Sequence, residues 1–182
     1  MEAKISCPYG MSADEPDELL CEGAELVRFE QYDAFMEKQH AMLACVGVHD
    51  EDGACAYLPA LEAELQRYQE QAYVLDPFLE RLVTPVAQTM RAQVLESGCM
   101  CMAPVARLLY MYTKVRGYKV VSRFFPHQVR EMPLLLDALE RFESPTWECL
   151  YVLLLWLSSV VLVPFPLDRG TPSPSERIHR LC

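Results

Sequence analysis

Cationic and aromatic side chains alternate over a short stretch in the second half of this 182-residue chain. Such a mixture can bind nucleic acid, or an acidic protein surface, through charge and ring stacking. The simpler interpretation is a pair of amphipathic helices whose cations face water while the rings form core, and it is favoured over an acidic protein partner. The cations are Arg107, Lys114, Arg116, Lys119, Arg123 and Arg130, and the aromatic residues are Tyr110, Tyr112, Tyr118, Phe124 and Phe125.

Catalytic and metal-binding patterns are absent from the sequence. The seven glycines never fall at the spacings of a nucleophile elbow, a phosphate loop or a dinucleotide-binding turn. Cys45, His49 and Cys55 could supply metal ligands, as could Cys99 and Cys101, but neither group has the C-x-x-C pairs of a structural zinc site. We therefore predict no catalytic residue, no metal and no cofactor.

Two further polar sites resemble turns more than active sites. The run 50–53, Asp-Glu-Asp-Gly, faintly echoes a calcium loop, but its glycine comes too early and the later bidentate acid is missing. His127 follows Phe125 and Pro126 and has no matched nucleophile, which favours a turn or cap residue over an acid-base catalyst.

The charge of the chain is unevenly distributed. The net charge is −10, yet residues 1–75 hold 16 acids and 4 bases, or −12, so that the remainder is about +2. This balance argues against general nucleic-acid binding. The N-terminus lacks the apolar core of a signal peptide, and the eight cysteines are scattered, which predicts a cytoplasmic protein with reduced thiols.

The most apolar stretch of the chain runs from Trp147 to Leu167. Its uncharged part, Cys149 to Val163, would span only about 22 Å as a helix, against about 30 Å of hydrocarbon in a bilayer. Prolines follow it and Glu148 precedes it. The pattern favours a helix buried on all sides, and the alternative is a small single-pass membrane protein that uses 149–167 as its span.

Apolar residues recur at helical intervals along most of the chain, without a credible strand pair. Ser12 with Glu15 predicts a helix start, the turn 47–53 precedes a second helix, and Asp76 before Pro77 predicts the N-cap of a third. Further helices are predicted from Pro104 to Gly117 and over 129–142 and 147–163, with a short amphipathic piece over 118–125 between the first two. A proline-rich linker follows, in which Ser175 could cap a last helix. Antiparallel pairs repeating at about 40–47 residues favour an α-solenoid over a bundle.

Several segments resemble the N-terminal region of the tubulin-folding cofactor D family in order and spacing. The resemblance covers about residues 60 to 170, and its K-V-R-G-Y-K and L-L-L-W-L-S segments are specific only in combination. The segments are R-Y-Q-E-Q (67–71), L-D-P-F-L-E (75–80), Y-T-K-V-R-G-Y-K (112–119), F-F-P-H (124–127) and Y-V-L-L-L-W-L-S (151–158), followed by Pro164 and Phe165.

The resemblance implies a chaperone of the post-chaperonin tubulin pathway, built as an armadillo/HEAT-like helical solenoid and not as an enzyme. Such a protein binds β-tubulin, works with tubulin-folding cofactors C and E and an Arf-like small GTPase, and associates with the cytoskeleton. Together these proteins stimulate GTP hydrolysis by tubulin. Because family members are several times longer, we expect this chain to correspond to an N-terminal fragment, a truncated gene model or an isoform that carries only the first repeats.

These arguments predict an all-α fold in three parts: an acidic helical region (1–55), the first armadillo/HEAT-like repeats (56–166), and a Pro/Ser linker with a short tail (167–182). Since the tubulin surface is expected to be acidic, the cations are candidates for partner contact. One apolar face of the last repeat would lack a cover, which predicts self-association. The partner-binding candidates are Lys114, Arg116, Lys119 and Arg123, and the predicted core includes Leu108, Leu109, Leu154, Leu155 and Trp156.

Overall fold

The computed structural model describes residues 29–96, 102–142, 145–162 and 172–181, and these ranges contain helices and no strand. The α-helices are α1 (Tyr32–Gly47), α2 (Glu51–Arg67), α3 (Leu79–Leu95), α4 (Met102–Arg116), α5 (Tyr118–Val121), α6 (Met132–Arg141), α7 (Trp147–Val161) and α8 (Pro174–Leu181). Three 3-10 helices join them, Ala72–Phe78, Ser122–Phe124 and Val129–Glu131. The all-α prediction is confirmed.

Helices α1 and α2 form the first packed pair. The side chains that α2 buries are spaced four, three and four residues apart from Ala54 to Leu65, which puts them on one side of the helix. The turn between the two helices covers residues 48–50, whereas the prediction was 47–53. It is shorter because Asp50 caps α2 by accepting a hydrogen bond from the Gly53 backbone N–H at 2.9 Å. The division proposed between residues 55 and 56 falls inside α2, so the first helix pair spans it.

The start of α3 differs from the prediction. Asp76 and Pro77 lie in the 3-10 helix Ala72–Phe78, and α3 begins only at Leu79. Asp76 therefore caps no helix, and its carboxylate pairs instead with Arg116 at the end of α4. Pro85 lies within α3, which continues on both sides of it.

The central helix of the fold is α4, which packs against α2, α3 and α7. It buries side chains around most of its circumference, as expected for a helix surrounded by others. Tyr112 lies at its centre, where the hydroxyl donates to the Gln39 side-chain oxygen of α1. The Gln39 amide donates in turn to the Leu82 carbonyl of α3 at 2.9 Å, so one buried network joins three helices.

The apolar helix α7 is buried on one side only, which corrects the prediction that it is buried all round. Trp156 is fully buried, and its indole N–H donates to the Pro126 carbonyl at 2.7 Å. Leu154, predicted as core, is 39% exposed, and Leu155 is half-buried. In the part of the chain that the structure describes, no helix has the length and apolarity needed to cross a membrane.

The tail contains an ordered element, α8, within the range predicted as linker and tail. Its cap is Ser173 and not Ser175, because the Ser173 hydroxyl accepts from the Glu176 N–H at 3.3 Å and the Glu176 carboxylate accepts from the Ser173 N–H at 3.1 Å. Arg177 then ties α8 to α6 through Asp137 at 2.6 Å and Glu140 at 2.8 Å. The helix start predicted at Ser12 lies outside the described residues.

Candidate partner-binding surface

The four predicted contact residues lie together where α4 ends and α5 begins. Gly117 ends α4 and has a φ of 95°, a left-handed conformation that favours glycine. The chain then turns directly into α5 and the 3-10 helix Ser122–Phe124. This tight turn places Lys114, Lys119 and Arg123 on three consecutive elements that pack against one another.

We call Lys114, Lys119 and Arg123 the basic corner. All three side chains are exposed, and among the described residues no carboxylate lies within ion-pair distance of any of them. The Lys119 ammonium lies 6.0 Å from the centre of the Tyr118 ring, at the outer limit of a cation-π contact. These charges are therefore available to an acidic partner.

Arg116, the fourth predicted residue, is engaged within the fold. Its guanidinium donates to both carboxylate oxygens of Asp76, with a distance of 2.7 Å for the Nη2 to Oδ2 bond. Hydrogen bonding from Arg116 lowers the pKa of Asp76 below its ordinary value. The geometry gives Arg116 a structural contact, and its role in partner binding stays a prediction.

The other residues of the basic and aromatic stretch divide between the surface and the core. Arg107 pairs with Glu62 of α2, and Arg130 donates to the Gln128 side chain at 2.7 Å. Tyr112 and Phe125 are buried. The favoured interpretation, cations in water and rings in core, holds for these four positions, but Tyr118 is 50% exposed and does not fit it.

A small apolar groove lies beside the basic corner. It has a volume of about 350 Å³ and is lined by Tyr118, Tyr151, Leu154 and Leu155. We call it the α7 groove. Tyr118 belongs to α5 and the other three residues to α7, so both helices contribute to the lining of the groove.

An apolar stripe on α7 extends from the groove along the helix surface. The exposed fractions are 58% for Trp147, 43% for Leu150, 39% for Leu154 and 83% for Leu162. In chain order these residues are separated by three, four and eight positions, which places them on one side of the helix. We call these four residues the α7 stripe. Tyr110 of α4 packs against this stripe, and the centre of its ring lies 4.5 Å from that of Trp147 and 5.5 Å from that of Tyr151. The sequence predicted an uncovered apolar face in the last repeat but not which residues form it, and it wrongly placed Leu154 in the core.

The candidate metal ligands do not converge. Cys45 is half-buried, Cys55 and His49 are exposed, and no group of three His, Cys, Asp or Glu side chains within the described ranges could hold a metal ion. Cys99 and Cys101 lie outside those ranges. Asp50, part of the calcium-loop echo, uses its carboxylate to cap α2.

Helix pairs that pack one after another along the chain are typical of helical-repeat proteins. The sequence profile of the family described as "Tubulin-specific chaperone D-like, ARM repeat" matches residues 65–179, and the chain belongs to this family. It is 34% identical over 104 residues to the protein "Tubulin-folding cofactor D" of Schizosaccharomyces pombe, a match that covers 57% of this chain and 9% of that one. This chain therefore spans a small part of its relative's length. No solved structure matches it.

Proposed function

We propose that this chain contributes the first repeats of a cytoplasmic tubulin chaperone that binds β-tubulin in the post-chaperonin pathway. In this role it acts with tubulin-folding cofactors C and E and an Arf-like small GTPase, as a binding scaffold and not as a catalyst. Family membership over residues 65–179 supports the proposal. The structural feature that supports partner binding is the basic corner beside the α7 groove.

The physical basis for this surface is the combination of unpaired charge and apolar area. Lys114 and Lys119 are exposed with no carboxylate among the described residues in ion-pair range, so an acidic partner gains attraction without breaking an ion pair between described residues. The adjoining groove lets an apolar side chain of the same partner be buried. Charge would then speed the encounter, and burial in the groove would slow dissociation.

The experiment is a binding assay between the full 182-residue chain and purified tubulin, with detection of β-tubulin. The test variant is K114E/K119E, and the matched control is K38E/R81E, which changes the net charge equally at exposed positions of α1 and α3. We expect the test variant to weaken binding about tenfold at low salt and the control to leave it unchanged. Added salt should reduce the difference in tubulin affinity between K114E/K119E and the unmodified chain, because salt screens exposed charges.

Three outcomes would contradict the proposal. Equal binding by both variants would remove the basic corner as the contact surface. Equal loss in both would show that net charge alone governs capture. No binding by the unmodified chain would show that these repeats hold no tubulin-binding surface of their own.

A further inference from the structure

The α7 groove and the basic corner form one composite surface that needs an occupant of particular chemistry. Apolar side chains are required for the groove, and negative charge is required within reach of Lys114, Lys119 and Arg123. We propose that the acidic segment around Leu19 and Leu20 of the same chain docks there, with the two leucines on the groove and the flanking carboxylates facing the basic corner.

Charge complementarity is the first argument for this occupant. Residues 14–22 contain five acids, no base and the adjacent pair Leu19 and Leu20. The basic corner offers three cations that no described carboxylate neutralises. Opposite charges at this density attract at distances up to about a Debye length, which is about 8 Å at physiological salt.

Chain length and the point of attachment are the second argument. The ring of Phe29, the first described residue, lies 5.9 Å from that of Phe78. Asp76, two residues before Phe78, pairs with Arg116. Arg116 is two residues before Tyr118, which lines the groove. Residues 21–28 can span up to about 28 Å when extended, because each residue contributes about 3.3 to 3.6 Å. We expect this reach to be enough to bring the leucine pair to the groove while Phe29 keeps its position.

A second copy of the chain, the occupant that the sequence suggested, fits less well. The α7 stripe and Tyr118 lie beside exposed cations, so a second copy that presented the same surface would bring two basic corners together, and their like charges would repel. Docking within one chain needs less surface because the attached segment is already at a high effective concentration.

Photo-crosslinking tests the proposal without reference to tubulin. Leu154 is replaced by benzoylphenylalanine in the full chain, and equal amounts of isotope-labelled and unlabelled protein are mixed, irradiated and mapped by mass spectrometry. We expect crosslinks within single chains to the peptide that contains Leu19 and Leu20. The control probe at Gln88, exposed on α3, should not give this product.

Two sets of changes then separate the apolar and charged contributions. L19S/L20S should lower the crosslink yield at least about tenfold, because the groove would lose both apolar side chains. K114E/K119E should lower it about fivefold at low salt, because two exposed cations become anions. If the probe at Leu154 disturbs folding by circular dichroism, the same measurement is made at Leu150, which is also exposed on the α7 stripe.

The proposal is overturned by crosslinks between labelled and unlabelled chains, which would identify a second copy as the occupant. It is equally overturned by a yield at the level of the Gln88 control, or by a product unaffected by L19S/L20S. Since the docked segment would cover the basic corner, L19S/L20S should also raise the affinity for any acidic partner that binds there.

Discussion

Replacement of Tyr112 by phenylalanine tests the buried network that joins α1, α3 and α4. Tyr112 and Gln39 are both fully buried, so Y112F leaves the Gln39 oxygen in the core without its donor. Such an unsatisfied buried group costs about 1 to 3 kcal/mol. Since a domain of this size is stable by only about 5 to 15 kcal/mol, the loss should lower the urea midpoint clearly, with an unchanged m-value.

The double variant distinguishes a network from two separate packing sites. Q39M leaves the Tyr112 hydroxyl buried without an acceptor and should cost a similar amount, whereas Q39M/Y112F replaces both polar groups by apolar ones of similar shape. We expect the double variant to be about as stable as the worse single one, with a coupling energy of about 1 to 3 kcal/mol. The exposed residues Gln66 and Tyr73 provide the controls Q66M and Y73F.

If the stability loss of Q39M/Y112F equals the sum of the losses of Q39M and Y112F within about 0.5 kcal/mol, this reasoning is refuted. Alkaline titration gives an independent check, because burial raises the pKa of Tyr112 well above its ordinary value. A raised folded-state pKa means that the stabilising contribution is present below about pH 10 and is lost as the pH rises further. The stability of Y112F should therefore decline less steeply above pH 10 than that of the unmodified chain.

Three further perturbations probe the contacts that hold the later helices. W156F should cost about 2 to 4 kcal/mol in urea unfolding, because it leaves a cavity and removes the indole donor from the buried Pro126 carbonyl. D76N should cost only about 0.5 to 1 kcal/mol at neutral pH, because Asp76 keeps 41% of its side chain exposed and water screens its pair with Arg116. Arg116 lowers the pKa of Asp76 in the folded state, so the pair stabilises the fold at pH values above the pKa of Asp76 in the unfolded chain. This stabilisation disappears as the pH falls through the folded-state pKa, and below it D76N and the unmodified chain should be equally stable. R177Q should speed proteolysis within α8 several-fold with little change in the global urea midpoint, because it removes the ion pairs to α6.

Local sequence signals predicted most of the helices but not their neighbours. The stop at Gly117 was readable because glycine follows a periodic apolar stretch that ends in cations. The N-cap assigned to Asp76 was wrong because the Asp-Pro pattern cannot reveal that Arg116, forty residues away, competes for the carboxylate. A cap signal describes one turn of the chain, whereas the fold decides which partner the side chain finds.

The same limit explains why α7 was taken for the buried helix. Apolar content alone made α7 the obvious centre, yet α4 occupies that place with a lower share of apolar residues. Burial depends on how many helices surround an element, and α4 is enclosed by α2, α3 and α7 whereas one side of α7 has no described neighbour. In a chain of stacked pairs, an element at the edge of the stack exposes its apolar side until another segment covers it.

The composite surface also shows which part of a binding site a sequence can reveal. Its charged half was predicted, because exposed lysines next to a helix end are a local feature of the chain. Its apolar half was predicted only as an uncovered face without named residues, because Tyr118 and Leu154 are 36 residues apart and line one groove only in the folded chain. Since affinity depends more on buried apolar contacts than on exposed charge, the half that the sequence hides is the one that should determine how long a partner stays bound.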